Sequence, residues 1–459
     1  MSSVAAAIAP AQNSSEIPRK SLLLRGAGTV VLCTLVIKVI ATSKEFVVAG
    51  AYGRSDALDA FLAASLVPAL LINLIAESMS QALIPTLVRI RLQRGSEAAR
   101  QLLTGQMLRL TLLLISGCLI SAATAPWWIR CVGWNFSEAK LRLTLRIFLA
   151  LLPVVLLGGI AANCAAVLNA ARHYLIAAIS PVAIPICTVA GVLYLGGHAG
   201  VSVLVGAALV GAGIQLGISW SAMSRAGYAI HSAAWSTSTP ETNIIQRNFG
   251  VIAVSSIVAS GGLLVDQAMA SSLAPGSVST LAFAGRFVSV VMTLMAAASS
   301  SVLGPHLATL TAQQNWDVCR KTLRSWTRLA WAISIPTAVA LAFSAPWLVR
   351  VFLQHGQFQL ADTKAVAPVL ALSALQIPFF AVSRVHYRFI LAMRRSSLLL
   401  KCGIMNLALD ILLNLILIRP LGVAGIALST SLWTVATWAF LALASRRLLA
   451  TAASQDAVA

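Results

Sequence analysis

Two apolar segments lie between Lys38 and Gly95, one ending near Gly50 and one running from about Ala57 to Val88. They carry Lys38, Lys44, Glu45, Asp59 and Glu77. Each segment is long enough to cross a bilayer, which takes ~20 residues. A charge at membrane depth costs about 2.5–3.5 kcal/mol even on the mild insertion scale, and persists where it faces a polar cavity or another charge. The pattern therefore predicts a water-filled site inside a helical bundle. Lys38 and Glu45 are seven apart and share a helix face. Glu77 shares a face with Asn73 and Gln81.

Further bases fall inside apolar stretches: Arg109, Arg146, Arg286, Arg384 and Arg388. Arg384 and Arg388 are four apart and share a face. A planar guanidinium beside a lysine suits a pyrophosphate, because its fork of donors matches the phosphate oxygens. The competing reading is snorkelling, in which Lys38, Arg109, Arg146 and Arg388 reach a headgroup. For Asp59 the competing reading is structural pairing at a helix start. For Glu45, Asp59 and Glu77 together, one role is to hold the lysines in place. Another is to lower substrate affinity when protonated.

A third constellation lies near the C-terminus. Asn406, Asp410 and Asn414 form a polar stripe at a spacing of four in an otherwise apolar helix, with Asp266 and Thr430 on other apolar stretches. Carboxylate, amide and hydroxyl oxygens are the hard ligands that sodium or a proton site needs. Interhelical hydrogen bonding is the alternative.

The elements that must position these residues are membrane spans. The chain has 459 residues, 59% of them hydrophobic and 10% charged, against about 25% charged in a soluble domain. Mean hydropathy is +0.87. Twelve spans are predicted, near 27–50, 58–88, 102–125, 143–168, 175–196, 200–222, 248–271, 279–306, 325–344, 366–391, 398–418 and 422–445. The fold class is an all-α polytopic membrane protein, with two pseudo-symmetric six-helix lobes around a central cavity. The lobes cover 21–224 and 248–447. They are joined by a polar linker at 225–247 and flanked by a disordered tail at 1–20 and a second tail at 448–459.

The halves read as repeats. Ser80-x-x-Leu83-x-Pro85-x-Leu87 returns as Ser300-x-x-Leu303-x-Pro305-x-Leu307. Ala125-Pro126-Trp127-x-x-Arg130 returns as Ala345-Pro346-Trp347-x-x-Arg350 at the same offset. Six spans per repeat makes both halves enter from one side, with the site between them.

The net charge of +20 sits mostly in short loops. That pattern sets topology and attracts anionic lipid rather than nucleic acid. With both termini on one side, that side holds 19 bases against 7 opposite, so both termini are expected to be cytoplasmic. The seven cysteines form no CxxC pair and read as packing residues. The first twenty residues lack the layout of a cleaved signal, so the first span is expected to act as an anchor. No hydrolase, kinase or dinucleotide signature is present, and no enzyme activity or cofactor is expected beyond sodium or proton coupling.

The stretch 38–95 also resembles the N-terminal signature of the MurJ/MviN flippase family of the MOP transporter superfamily. The residues that carry it are Lys38, Lys44-Glu45, Tyr52-Gly53, Asp59-Ala60-Phe61, Pro68, Ala76-Glu77-Ser78 and Pro85, spaced without gaps. Lys-Glu stands where the family has Arg-Asp, Ser78 where it has Gly, and Ile72-Asn73 where it often has arginine. Weaker matches are His355-Gly356-Gln357-Phe358 and Leu168-Asn169 with Arg172. The resemblance implies that Arg286 matches a cavity arginine, that intramembrane acids couple ion flow, and that the substrate is a lipid-linked glycan. Lipid II for peptidoglycan synthesis is the first candidate, moved across the bacterial cytoplasmic membrane by a monomer. Another undecaprenyl-linked glycan for O-antigen or exopolysaccharide, a MATE-like multidrug exporter and a non-transporting scaffold are the alternatives. A cavity rich in lysine and arginine repels cationic drugs, and nothing in a scaffold would offset the cost of its buried charges. The family has fourteen spans, so a chain of twelve is expected to lack the pair that shelters a lipid tail.

Overall fold

In the computed structural model of the chain, residues 40, 42–171, 173–229, 240–299, 303–393 and 395–456 are described. Lys38, Arg172, Ser300 and the tail expected over 1–20 lie outside them. Among the described residues every regular element is a helix.

In chain order they are α1 (42–52), α2 (Asp56–Leu71), a π-helical turn (Ile72–Glu77), α3 (Ser78–Ala123), α4 (Ala125–Val132), α5 (Glu138–Ala170), α6 (Tyr174–Ile179), α7 (Ala183–Ala199) and α8 (Ser202–Met223). The second half holds α9 (Pro240–Ser271), α10 (Ser277–Ala298), α11 (Gly304–Ala312), α12 (Trp316–Leu353), α13 (Leu360–Ala374), α14 (Gln376–Ala392), α15 (Ser396–Leu421) and α16 (Val423–Asp456). Among the described residues ten stretches are long and apolar enough to cross a membrane. One of them, Asp56–Ala123, is two spans. It breaks at Gly95, whose φ is 88°. It then folds back so that Gly117 faces Leu71 and Ile75. Helix α1 is the described end of the first expected span.

The helix starts follow from local chemistry. Ser55, Ser137 and Asn315 accept hydrogen bonds from the backbone N–H groups of Leu58, Lys140 and Val318 (3.3 Å each). Gln359 and Asp362 form a reciprocal capping box on α13. Acids fill the first turns, at Asp56, Asp59, Glu138, Asp317 and Asp362. A carboxylate there meets unsatisfied N–H groups and the positive end of the helix dipole.

Helices α2, α3, α5, α7 and α8 pack as one lobe, and α12–α16 as the other. Leu83, Leu110, Leu114 and Val167 centre the first. Leu303, Leu323, Phe389 and Cys402 belong to the second. A third core, running through Val48, Leu58, Phe148, Phe283, Phe358 and Ile377, joins the two lobes at one end. Helix α9 bridges the lobes by packing along both α3 and α15. The linker expected at 225–247 is shorter in the structure. A π-turn carries α8 to Tyr228, which is buried, and α9 begins at Pro240. Residues 448–456, expected as a tail, continue α16.

Candidate functional site

The site has three tiers, two along the lobe interface and one inside the second lobe. The first, at the end joined by the shared core, is a buried polar latch around Asp59, which is 1% exposed. Its carboxylate accepts from the backbone N–H of Gly276 (2.8 Å) and of Ser279 (2.8 Å), and from Lys140 Nζ (3.2 Å). Asp59 thus caps α10, a helix of the opposite lobe, and the same carboxylate meets a buried ammonium. Lys140 also pairs with Asp56 (2.5 Å). Beside it, Arg54 donates to Gly276 O (3.2 Å) and Thr280 Oγ1 (2.7 Å) and pairs with Asp362 (3.5 Å). The Gln357 N–H donates to Gly50 O (2.8 Å).

Two glycines are needed for this close approach. Gly276 has φ 81°, and a Cβ there would lie 2.9 Å from Arg54 O. Gly356 has φ 60°, and a Cβ there would overlap the backbone of Gly50. The latch closes this end of the interface.

The second tier is a charge cluster about two turns farther along α10. Glu45 Oε1 accepts Lys44 (3.3 Å) from its own helix and Arg286 Nε (3.2 Å) from α10. Two cations converge on one carboxylate, which leaves a net positive charge. Arg286 is half exposed, its side chain at 51%, against 13% for Glu45. Thr42, Phe46, Phe283, Phe287 and Leu353 complete the lining. Phe46 stacks on Phe352 and tilts against Phe287, forming an apolar floor between the charge cluster and the latch. Farther from the latch, Asn73, Glu77 and Gln81 are exposed on one face of the π-turn and α3. Arg286 and Ser289 are exposed on α10, with Thr293 half-buried beyond them. An exposed polar stripe on an otherwise apolar span faces water rather than lipid. Two such stripes, one from each lobe, extend along their helices away from the latch. The π-turn itself is a register shift of the kind found at functional positions.

The third tier lies inside the second lobe. The Asn414 amide donates to Asp266 Oδ1 (2.8 Å) and to Asp410 Oδ1 (3.2 Å), which ties α9 to α15. Thr430 of α16 borders Asp266. Thr437 Oγ1 donates to Asn406 Oδ1 (2.9 Å), so Asn406 is bound to α16 one turn from the acids. Asp410 and Asn414 are 1% and 0% exposed. Asp410 Oδ2 and Asn414 Oδ1 are buried without a hydrogen-bond partner. Orphaned buried oxygens are rare and call for an explanation such as a bound ion or water. Two acids, an amide and a hydroxyl match the oxygen-rich donor set of an alkali cation.

The structure thus brings Lys44, Glu45 and Arg286 together, leaves Glu77 exposed on the π-turn, and gathers Asp266, Asp410, Asn414 and Thr430. It puts Asp59 in the latch, apart from the cation cluster. Arg384 and Arg388 lie on α14 within the second lobe. Sequence reading missed Arg54, Lys140 and Asp362: the two bases entered only the loop-charge count, and Asp362 drew no reading. One signal could have found part of the latch. Asp59 and Ser279 are 220 residues apart, the spacing of the repeats.

The chain superposes on "Lipid II flippase MurJ, inward closed conformation" with a TM-score of 0.77 at 19% identity, covering 91% of this chain and 87% of that one. It superposes equally, at 0.77 and 13% identity, on an inward-facing multidrug resistance MATE family transporter of the MOP superfamily, covering 92% and 96%. The protein therefore shares the multi-pass helical fold of those transporters. The family model "Lipid II flippase MurJ" matches residues 48–457, and the chain belongs to that family. Among similar relatives, "Lipid II flippase MurJ" of Burkholderia cenocepacia is 24% identical over 415 residues, 89% of this chain and 80% of the relative. "Probable lipid II flippase MurJ" of Rickettsia prowazekii (strain Madrid E) is 22% identical over 419 residues, covering 91% and 82%.

Proposed function

We propose that this protein flips lipid II, an undecaprenyl-pyrophosphate glycan, from the cytoplasmic to the outer leaflet of the bacterial inner membrane by alternating access. The observation that carries the reading is the convergence of Lys44 and Arg286, one from each lobe, on the single carboxylate of Glu45. A diphosphate entering the cavity meets two cations whose shared counter-ion can be displaced, so binding draws the lobes together at that level. Family membership favours this substrate over a drug, and the excess positive charge agrees, since a cationic drug would be repelled.

The latched end is assigned to the outside and the cavity mouth to the cytoplasm, which makes this the inward-facing state with both termini cytoplasmic. The support is the loop-charge bias of 19 bases to 7. Reset of the cycle is assigned to a sodium ion or a proton at Asp266, Asp410, Asn414 and Thr430. The orphaned Asp410 Oδ2 and Asn414 Oδ1 support this assignment.

Complementation tests the function. In a bacterium depleted of its own lipid II flippase, the wild-type chain should restore growth and prevent accumulation of lipid II. Arg286→Ala and Lys44→Ala, at equal protein level, should not. Growth restored by both variants, or lipid II still accumulating with the wild type, would refute the reading.

A further inference from the structure

Arg384 and Arg388 sit on α14 in the half of the second lobe away from the latch, eight and four residues before the helix ends at Ala392. That is about 12 and 6 Å from the helix end at 1.5 Å per residue. If the arginines only snorkelled, their guanidinium groups would extend to the nearby interface. Arg384 does not. Its Cζ lies 4.5 Å from the ring centroid of Phe380, one turn deeper, and 5.5 Å from that of Tyr387. Arg388 Cζ approaches the same Tyr387 ring at 6.0 Å. Two guanidinium groups are thus arrayed about one aromatic ring on successive turns.

Stacking occupies the faces of a guanidinium and leaves its in-plane N–H donors available. Among the described residues Arg384 makes no ion pair and no hydrogen bond, and its charged neighbour on the helix is the like-charged Arg388, one turn on. The acids of this lobe are engaged elsewhere or distant. Asp362 pairs with Arg54, Asp266 and Asp410 share the Asn414 amide, and Asp317 is exposed at the start of α12. Arg384, half-buried, held between aromatic rings and close to the like charge of Arg388, is arranged for an anion. The stem of Arg388 packs against Gly304, at the start of α11. It therefore lies beyond the end of α10, more than ~18 Å of helix from Arg286, too far for one diphosphate to touch both.

We propose that Arg384 and Arg388 form a second anion site, separate from the Lys44–Arg286 cluster, that binds the phosphate of a lipid headgroup in the leaflet facing the cavity mouth. The proposal takes its membrane placement from the function proposed above but does not require lipid II. The phosphate can belong to the substrate as it enters or to a bulk anionic phospholipid that holds the lobe in register with the leaflet.

The test is ligand-dependent melting and native mass spectrometry of the purified full chain, with phosphatidylglycerol, undecaprenyl pyrophosphate and zwitterionic phosphatidylcholine as probes. The variants are Arg384→Gln/Arg388→Gln, Arg384→Lys/Arg388→Lys and Arg286→Gln. At least one anionic lipid should stabilise the wild type while phosphatidylcholine does not. The double glutamine variant should weaken that lipid at least about tenfold, the loss expected for charge-assisted contacts. The double lysine variant, which keeps charge and guards against a mere folding defect, should retain part of the binding. An effect on phosphatidylglycerol that Arg286→Gln does not reproduce assigns a structural lipid. An effect on undecaprenyl pyrophosphate additional to that of Arg286→Gln assigns an entry site. If the double glutamine variant binds both anionic lipids as the wild type does, the proposal is overturned, whatever Arg286→Gln shows about the substrate cavity.

Discussion

Asp59 and Ser279 occupy equivalent positions in the two repeats, and they bond to each other: the Ser279 N–H donates to Asp59 Oδ1 at 2.8 Å across the lobe interface. A contact between residue i and its own repeat counterpart lies beside the pseudo-symmetry axis. The symmetry is broken there by chemistry, since one copy contributes a carboxylate and the other the N-terminus of a helix. Such a pair holds only while the lobes are together at this end, and it must separate for the cavity to open the other way.

Replacing Asp59 with Asn should therefore favour the opened outer end. The change removes a charge from the start of α10, worth about 2 kcal/mol in a partly buried setting. It also leaves Lys140, 8% exposed, with Asp56 alone. A shift of about 2 kcal/mol moves the closed-to-open ratio roughly thirtyfold. Spin labels at Glu138→Cys and Lys364→Cys, in a cysteine-free background, would report the widening as a longer distance population. An unchanged distance distribution would remove the latch role.

Glycine at 356 should be as necessary as the carboxylate at 59. A Cβ at that position collides with the backbone of Gly50 on α1. Gly356→Ala should lower the melting temperature or shift the same label pair outward, whereas Gly206→Ala, on an open face of α8, should do neither. Equal behaviour of the two variants would show that α1 does not need this close approach.

Neutralising Glu45 should separate binding from turnover. Glu45 competes with an incoming diphosphate for Lys44 and Arg286. Glu45→Gln should tighten the binding of undecaprenyl pyrophosphate by about tenfold, the value of one charge-assisted contact, while slowing release. Arg286→Lys should keep only part of the wild-type affinity, because an ammonium lacks the two-pronged fork. Weaker binding in Glu45→Gln would mean that the acid orients the cations rather than competing for them.

These outcomes also bear on how much the sequence disclosed. Lys44, Glu45, Asp266 and Asp410 stood out because each is a charge in an apolar run, and that anomaly survives without coordinates. The spans after the first were legible from their long apolar runs, down to the two within the single helical stretch Asp56–Ala123, while most of the first expected span lies outside the described residues. The latch was not. Arg54, Lys140 and Asp362 lie near span ends, where charges are ordinary, and their meaning comes only from lobes meeting across more than 200 residues of chain. The partner of Arg286 was hidden too, since Glu45 lies on a helix of the other lobe.

The ion site predicts a dependence on sodium or on pH that its acids control. Asp410→Asn keeps shape and removes the charge from the carboxylate whose Oδ2 is orphaned beside Asn414 Oδ1. Wild-type protein should melt higher with increasing sodium, because a ligand that binds only the folded state stabilises it by mass action. Both Asp266→Asn and Asp410→Asn should lose that increment. If sodium has no effect but pH does, and the variants abolish the pH effect, the coupling ion is a proton. Identical melting of wild type and both variants under every condition would reduce the stripe to interhelical packing.

The most direct measurement is transport itself. Purified chain is reconstituted in proteoliposomes with a fluorescent lipid II analogue in the inner leaflet, and arrival in the outer leaflet is followed with a membrane-impermeant quencher. The wild type should expose the analogue well above empty liposomes, and Arg286→Ala and Lys44→Ala should fall to the empty baseline while remaining folded. A wild type no faster than empty liposomes, or alanine variants as fast as the wild type, would contradict the account that two cations, one from each lobe, carry the diphosphate across.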